Sequence, residues 1–189
     1  DCDVIGQPEM GMKMLKQRSL FASVVLDQKT LWVVGGNFLG NTDSTEFIKL
    51  GQPSVKGPDM PFTIGVHSMV QYDEKTIYII GGVQNELTSN KTWIVDPTKE
   101  FQIREGPSLN EKRYRHCCAK MTLNGKTVLV VAGGGNHNEN HYNSLTKNLD
   151  SVEILDPTGN NIWTKGPNLP LKLTGIKMVT TPTRKGVII

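Results

Sequence analysis

Two histidines four residues apart, His137 and His141, with Glu139 between them, have side-chain types that could ligate a metal ion. A zinc site needs three or four such ligands oriented around one centre. An i, i+4 pair shares a face only on a helix. The run that carries it, Gly135 to Ser144, is rich in asparagine, a poor helix former. It is therefore expected to be a polar surface loop, and no metal or other cofactor is expected. Nucleophilic catalysis finds no support either. There is no Gly-x-Ser-x-Gly elbow. His67 and Ser68 are neighbours, so in a strand their side chains diverge, and no acid is placed to orient the imidazole. Glu105, Glu111 and Glu139 fall in or beside expected loops without forming a carboxylate pair. Cys2, Cys117 and Cys118 make no CxxC motif, and the adjacent pair would point to opposite faces of a strand. No catalytic residue is assigned.

The elements that would position a site are strands, and they repeat. Apolar runs end in paired glycines three times, at Gly35-Gly36, Gly81-Gly82 and Gly133-Gly134, with spacings of 46 and 52 residues. Gly57-Pro58, Gly106-Pro107 and Gly166-Pro167 follow in the same order, and Asp96-Pro97-Thr98 returns as Asp156-Pro157-Thr158. In each unit a half-alternating segment precedes a tight turn, at Asp27–Thr30, Asp73–Thr76 and Asn124–Thr127. Asn124-Gly125 is the strongest short hairpin signal of the three. The apolar strand into Gly-Gly comes next, then a polar loop, a third strand and a short fourth. Helical periodicity is nearly absent. Four short strands per unit of about 50 residues predict an all-β fold of propeller blades. The blades are expected at about 18–57, 62–106 and 114–166, with the start of a fourth at about 170–189. The glycines are expected to serve packing, because phosphate cradling needs a strand–loop–helix arrangement.

Bulk properties narrow the function. The chain has 189 residues and a net charge of +3, with a pI near 8.7. Its basic residues are spread out rather than clustered, so a nucleic-acid partner is not expected. No stretch approaches 18 consecutive apolar residues, so no membrane insertion is expected. The acidic start, Asp1-Cys2-Asp3, is not a signal peptide and looks like a cut within a longer chain. About half of a ring is expected, with Gly-Gly next after Ile189. The compartment, cytoplasmic or extracellular, is left open. Asn90-Lys91-Thr92 is a glycosylation sequon.

The repeat resembles the kelch motif. The resemblance rests on the apolar runs into the three Gly-Gly pairs and on Val152 to Trp163 as a third-strand signature. It also rests on Gly57-Pro58-Asp59-Met60-Pro61 and Gly106 to Arg113 as linkers, with Gln7 to Met10 and Arg18 as the tail of another. The usual tyrosine–tryptophan pair is incomplete: Trp163 is present with Leu155 near the tyrosine position, unit two has Trp93 and Phe101, and unit one has no such tryptophan. The resemblance implies a divergent kelch-type β-propeller that binds a protein partner through the loops of one face, as in substrate recruitment. The alternative it implies is the propeller part of a galactose-oxidase-like or sugar-modifying enzyme. Tyr72, Tyr78, Tyr114 and Tyr142 show no convergence on histidines that a copper radical site would need. The implied binding loops contain Arg18, Ser19, Asn37, Arg113, Arg115, His116, Asn136, His137 and His141. Aligning the Lys-Thr turns places Arg115 as the repeat mate of Arg18, with Ile64 at that position in unit two. Arginine suits such a rim because its planar fork grips carboxylates.

Overall fold

The computed structural model describes residues 13–37, 40–136, 147–181 and 184–188. No described residue is helical. Three four-stranded antiparallel sheets follow one another along the chain, each a meander. Blade 1 consists of Ala22–Val25, Thr30–Val34, Thr45–Lys49 and Val55–Lys56. Blade 2 consists of Ser68–Asp73, Thr76–Ile80, Thr92–Asp96 and Gln102–Glu105. Blade 3 consists of Cys117–Leu123, Lys126–Ala132, Val152–Leu155 and Trp163–Lys165. A further antiparallel pair, Met178–Thr181 with Arg184–Ile188, follows them.

The register is the same in all three blades. The first residue of each first strand faces the residue before Gly-Gly: Ala22 opposite Val34, Ser68 opposite Ile80, Cys117 opposite Ala132. First strands of successive blades contact one another, so they line a common axis. The second strands are apolar at consecutive positions because both their faces are covered. Ile77 and Ile79 pack with Trp32 and Val34 of blade 1, while Tyr78 and Ile80 pack with Leu129 and Val131 of blade 3. Each such buried side chain contributes about 1.5–3 kcal/mol of apolar transfer. In blades 2 and 3 the outer strand brings one aromatic, at or just before its start, to the seam behind it. Phe101 lies 4.7 Å from Trp32 and 5.2 Å from Phe47 between ring centroids. Trp163 is 2% exposed in the next seam and donates its indole N–H to the Pro107 carbonyl at 3.0 Å. Phe101 thus does in blade 2 what Trp163 does in blade 3.

The loops after Gly-Gly carry short pairings of their own. Val83–Gln84 pairs with both Leu87–Thr88 and the entry segment Ile64–Gly65. Gly135–Asn136 pairs with Lys147–Asn148, and Asn37 bridges Ser19 and Asn41. One end of the sheet stack therefore bears a crown of small hairpins rather than plain loops.

Candidate functional site

The crown is joined across blades by backbone hydrogen bonds that depend on the glycine pairs. The second glycine of each pair donates to a carbonyl at the entry of the next blade: Gly36 to Ile64, Gly82 to Arg113 and Gly134 to Leu173, all at 2.8–2.9 Å. The first glycine makes this approach possible. A Cβ on Gly35, Gly81 or Gly133 would lie 2.2, 2.7 and 2.7 Å from those same carbonyl oxygens, closer than any side chain tolerates.

Nearer the axis a second chain of bonds runs from blade to blade. Val66 N–H donates to Leu20, Arg115 N–H to Val66 and Gly175 N–H to Arg115. Each residue in this chain has positive φ: Leu20 +55°, Val66 +58°, Arg115 +52° and Gly175 +72°. For β-branched Val66 that conformation is an outlier, held by bonds on both sides. Just inside lies a cavity of about 380 Å³ lined by the starts of the inner strands, including Phe21, Ser68, Met69, Cys118, Lys177 and Met178.

The structure separates the three candidate arginines. Arg18 and Arg113 do not face solvent; they are 8% and 0% exposed. Arg18 donates Nη1 to the carbonyls of Gly35 (2.6 Å) and Ser44 (2.9 Å), and Nη2 to Ser44 Oγ and Glu46 Oε1 (2.5 Å). Arg113 repeats this on Gly133 (2.7 Å), Ser151 (3.2 Å), Ser151 Oγ and Glu153 Oε1 (2.8 Å). Each carboxylate also accepts from the linker ahead of its blade. Glu46 takes the amides of Leu15 and Lys16, and Glu153 those of Asn110 and Glu111. Both guanidinium forks are thus consumed inside their own blades. Their expected place on a binding rim is corrected for that reason.

The repeat mate of Arg18 is therefore Arg113, not Arg115. Arg113 lies 13 positions before Lys126, whereas Arg18 and Ile64 lie 11 before Lys29 and Lys75. The first hairpin of blade 3 is longer at its tip, with seven-residue strands against four and five in blade 1. Its Asn124-Gly125 turn has φ of +50° and +76° at the two central residues, the type I′ form that pair favours. Turn motifs slide with hairpin length; the end that carries Gly-Gly does not. Arg115, two residues further on, is exposed.

The remaining candidates divide in the same way. Ser19 is exposed and its hydroxyl donates to the Asn37 carbonyl at 3.1 Å. Asn37 and Asn136 are half-buried in the crown. His116 is buried, with neither ring nitrogen hydrogen-bonded, so it too leaves the list of surface contacts. His137 and His141 lie outside the described residues. Among the described residues no group of three or more His, Cys, Asp or Glu could hold a metal. Cys117 and Cys118 are free thiols, pushed up by burial to about 11 and about 12. Asn90 donates its amide nitrogen to the Leu109 carbonyl at 3.0 Å, and Thr92 is 0% exposed. The sequon is thus folded into the blade 2–blade 3 linker contact, and its hydroxyl is closed to solvent.

Sequence reasoning missed the buried clamps, although a signal was there. Ser44-Thr45-Glu46 and Ser151-Val152-Glu153 accompany arginine, whereas Lys91-Thr92-Trp93 accompanies Ile64. It also passed over Leu20 and Val66, whose left-handed backbone leaves no mark in residue type.

Comparison with known proteins gives one family. Residues 114–170 match the kelch motif, the stretch that forms blade 3 and its flanks. No curated protein matches the sequence. No helix among the described residues is long and apolar enough to cross a membrane. Kelch motifs build β-propellers, which are commonly protein-interaction scaffolds. With that motif over blade 3 and the same geometry repeated in blades 1 and 2, the chain carries a kelch motif in an all-β architecture consistent with a kelch-type β-propeller fragment.

Proposed function

We propose that this protein is an interaction scaffold that binds a protein partner through the crown, with Arg115 as its charged contact. The observation that carries this reading is the contrast among the arginines. Arg18 and Arg113 are buried in ion pairs, while Arg115 is exposed at the axial mouth with φ +52°. Strained backbone of this kind persists where its surroundings over-determine it and clusters at binding sites. Leu20, 46% exposed, is linked to it through Val66 along the axial bond chain, and exposed Ser19 precedes Leu20. A partner carboxylate set against apolar residues fits that mouth, since a guanidinium binds a carboxylate through two parallel hydrogen bonds.

The same geometry favours a scaffold over an enzyme. The two buried histidines are enclosed without an acid to orient them, and the raised thiols hold almost no thiolate near neutrality. The test compares capture of proteins by the full chain, by Arg115→Glu and by Lys126→Glu at the opposite end of blade 3. Proteins retained by the parent chain and by Lys126→Glu, but lost with Arg115→Glu, are the expected result. Equal retention by all three would remove Arg115 from the site.

A further inference from the structure

The buried histidines are not explained by binding. His67 and His116 hold the same position in consecutive blades, one residue after Val66 and Arg115 in the axial bond chain. They are 7% and 5% exposed, and all four ring nitrogens lack a hydrogen-bond partner. Glycines press on both from close range. A Cβ on Gly82 would lie 2.6 Å from His67 Cβ, and one on Gly134 would lie 2.9 Å from His116 Cβ. A Cβ on Gly81 would meet His116 Cε1 at 2.9 Å. The His116 ring is therefore wedged between the glycine pairs of blades 2 and 3.

The surroundings give a charge on the ring no free carboxylate to pair with. The groups near His116 are the Arg113 guanidinium, the His67 ring and the Ile80 backbone, and of these only Ile80 favours the charged form. Cys117, Cys118 and Lys177 line the cavity that both rings border. The nearby carboxylates, Glu153 and Glu111, are engaged with Arg113. In the flanking blades the same position is apolar: Phe21 in blade 1, and Ile176 ahead of the last strand pair. Ile176 Cδ1 takes the place against Gly133 that His116 Cε1 takes against Gly81, 2.9 Å from the added Cβ in each case. The position therefore accepts an aliphatic side chain without loss of geometry.

We propose that the seam between blades 2 and 3 is an acid-operated latch: proton uptake by His116 in the seam, and by His67 on the cavity the two rings share, drives the rings out and opens the crown above them. Burial pushes both imidazoles down to about 3, with Arg113 and His67 adding to the effect on His116. Both rings are thus neutral in the closed seam. An opened or unfolded imidazole binds a proton near its ordinary value of about 6.5. The closed form therefore keeps its full stability above that value and loses it as pH falls towards about 3. Between about pH 6 and about pH 5 the two groups together lower the closed-to-open equilibrium by up to about 100-fold, tenfold for each proton taken up.

The test follows the full chain from about pH 7.5 to about pH 4.5 by thermal unfolding, beside the His67→Phe/His116→Ile variant. The expected result is a steep acid loss in the parent chain that is largely absent from the variant. Equal acid sensitivity in both would overturn the latch. If the variant does not fold, the ring resonances of the parent chain decide by nuclear magnetic resonance. Rings that stay neutral below about pH 5 while the chain remains folded support the proposal, and a ring that protonates near 6.5 without loss of structure overturns it. Hydrogen exchange locates the opening. The Gly82 amide, bonded to Arg113 across the seam, should lose protection before the Gly36 amide, bonded to Ile64 across the neighbouring seam. Simultaneous loss would mean global unfolding and no latch.

Discussion

Blades 1 and 3 meet one structural demand with a buried ion pair, and blade 2 meets it without charge. The demand is to satisfy the carbonyl of the first glycine and to tie down the incoming linker. In blades 1 and 3 a guanidinium takes the carbonyl, and a glutamate both neutralises it and accepts the linker amides. In blade 2 every member of the set is exchanged. Ile64 replaces the arginine and is 0% exposed. Trp93 replaces the glutamate, facing Ile79 as Glu46 faces Val33 and Glu153 faces Val131, while Lys91, in the place of the serine, pairs at the surface with Glu105. Pro61 stands where Leu15 and Asn110 present amides, so that linker has one donor fewer to satisfy. The Gly81 carbonyl accepts instead from Gln84 Nε2 at 3.2 Å, and Trp93 donates to Gln84 Oε1 at 3.2 Å. The ionic and neutral solutions coexist in one chain because each is complete. A buried ion pair is not intrinsically better than a neutral packing, but half of one is costly.

Four variants break or sharpen this contrast. Glu153→Ala should be the most damaging, by about 3 kcal/mol in urea unfolding, because it leaves the buried Arg113 with only the more distant, partly exposed Glu111 as counter-charge and strands the linker amides. Replacing both partners, as Arg113→Ile/Glu153→Leu, should recover at least about 1 kcal/mol of that loss. A double variant as unstable as the sum of its parts would show that the pair does not act as a unit. Next, Gln84→Leu in blade 2 should cost about 1–2 kcal/mol, by stranding the Gly81 carbonyl and the Trp93 indole N–H. An effect as large as that of Glu153→Ala would erase the distinction between the two solutions. The smallest effect is expected from Glu105→Gln, below about 1 kcal/mol, since both partners of the Lys91–Glu105 pair are about half exposed. It should shrink further in salt. A loss comparable to that of the buried pair would overturn the reading of blade 2.

The fold was largely legible because its signals are local. Consecutive apolar residues from Ile77 to Ile80 announced a strand covered on both faces, and the structure covers it on both. Asn124-Gly125 announced a tight hairpin and forms one. The candidate site was less legible, because it depends on which residues the neighbouring elements cover. Arginine has the same chemistry at 18, 113 and 115, yet only the last is exposed. Aligning the units on their Lys-Thr turns hid this, since blade 3 gained residues at the hairpin tip. Aligning them on Gly-Gly and the Ser-x-Glu of the third strand would have paired Arg18 with Arg113. Leu20 and Val66 gave no signal at all, because the inter-blade bonds that impose their positive φ come from residues more than 40 positions away.

By itself, then, the sequence determined an all-β repeat with glycine pairs at the blade seams. Period, turn chemistry and the absence of a Cβ act within a few residues and survive in the linear string. Only the tertiary structure decided which arginine meets solvent, that the glutamates at 46 and 153 are structural, and that two histidines are sealed without partners. The physical reason is that burial, and the charge state that follows from it, belong to the contact between blades rather than to any one of them.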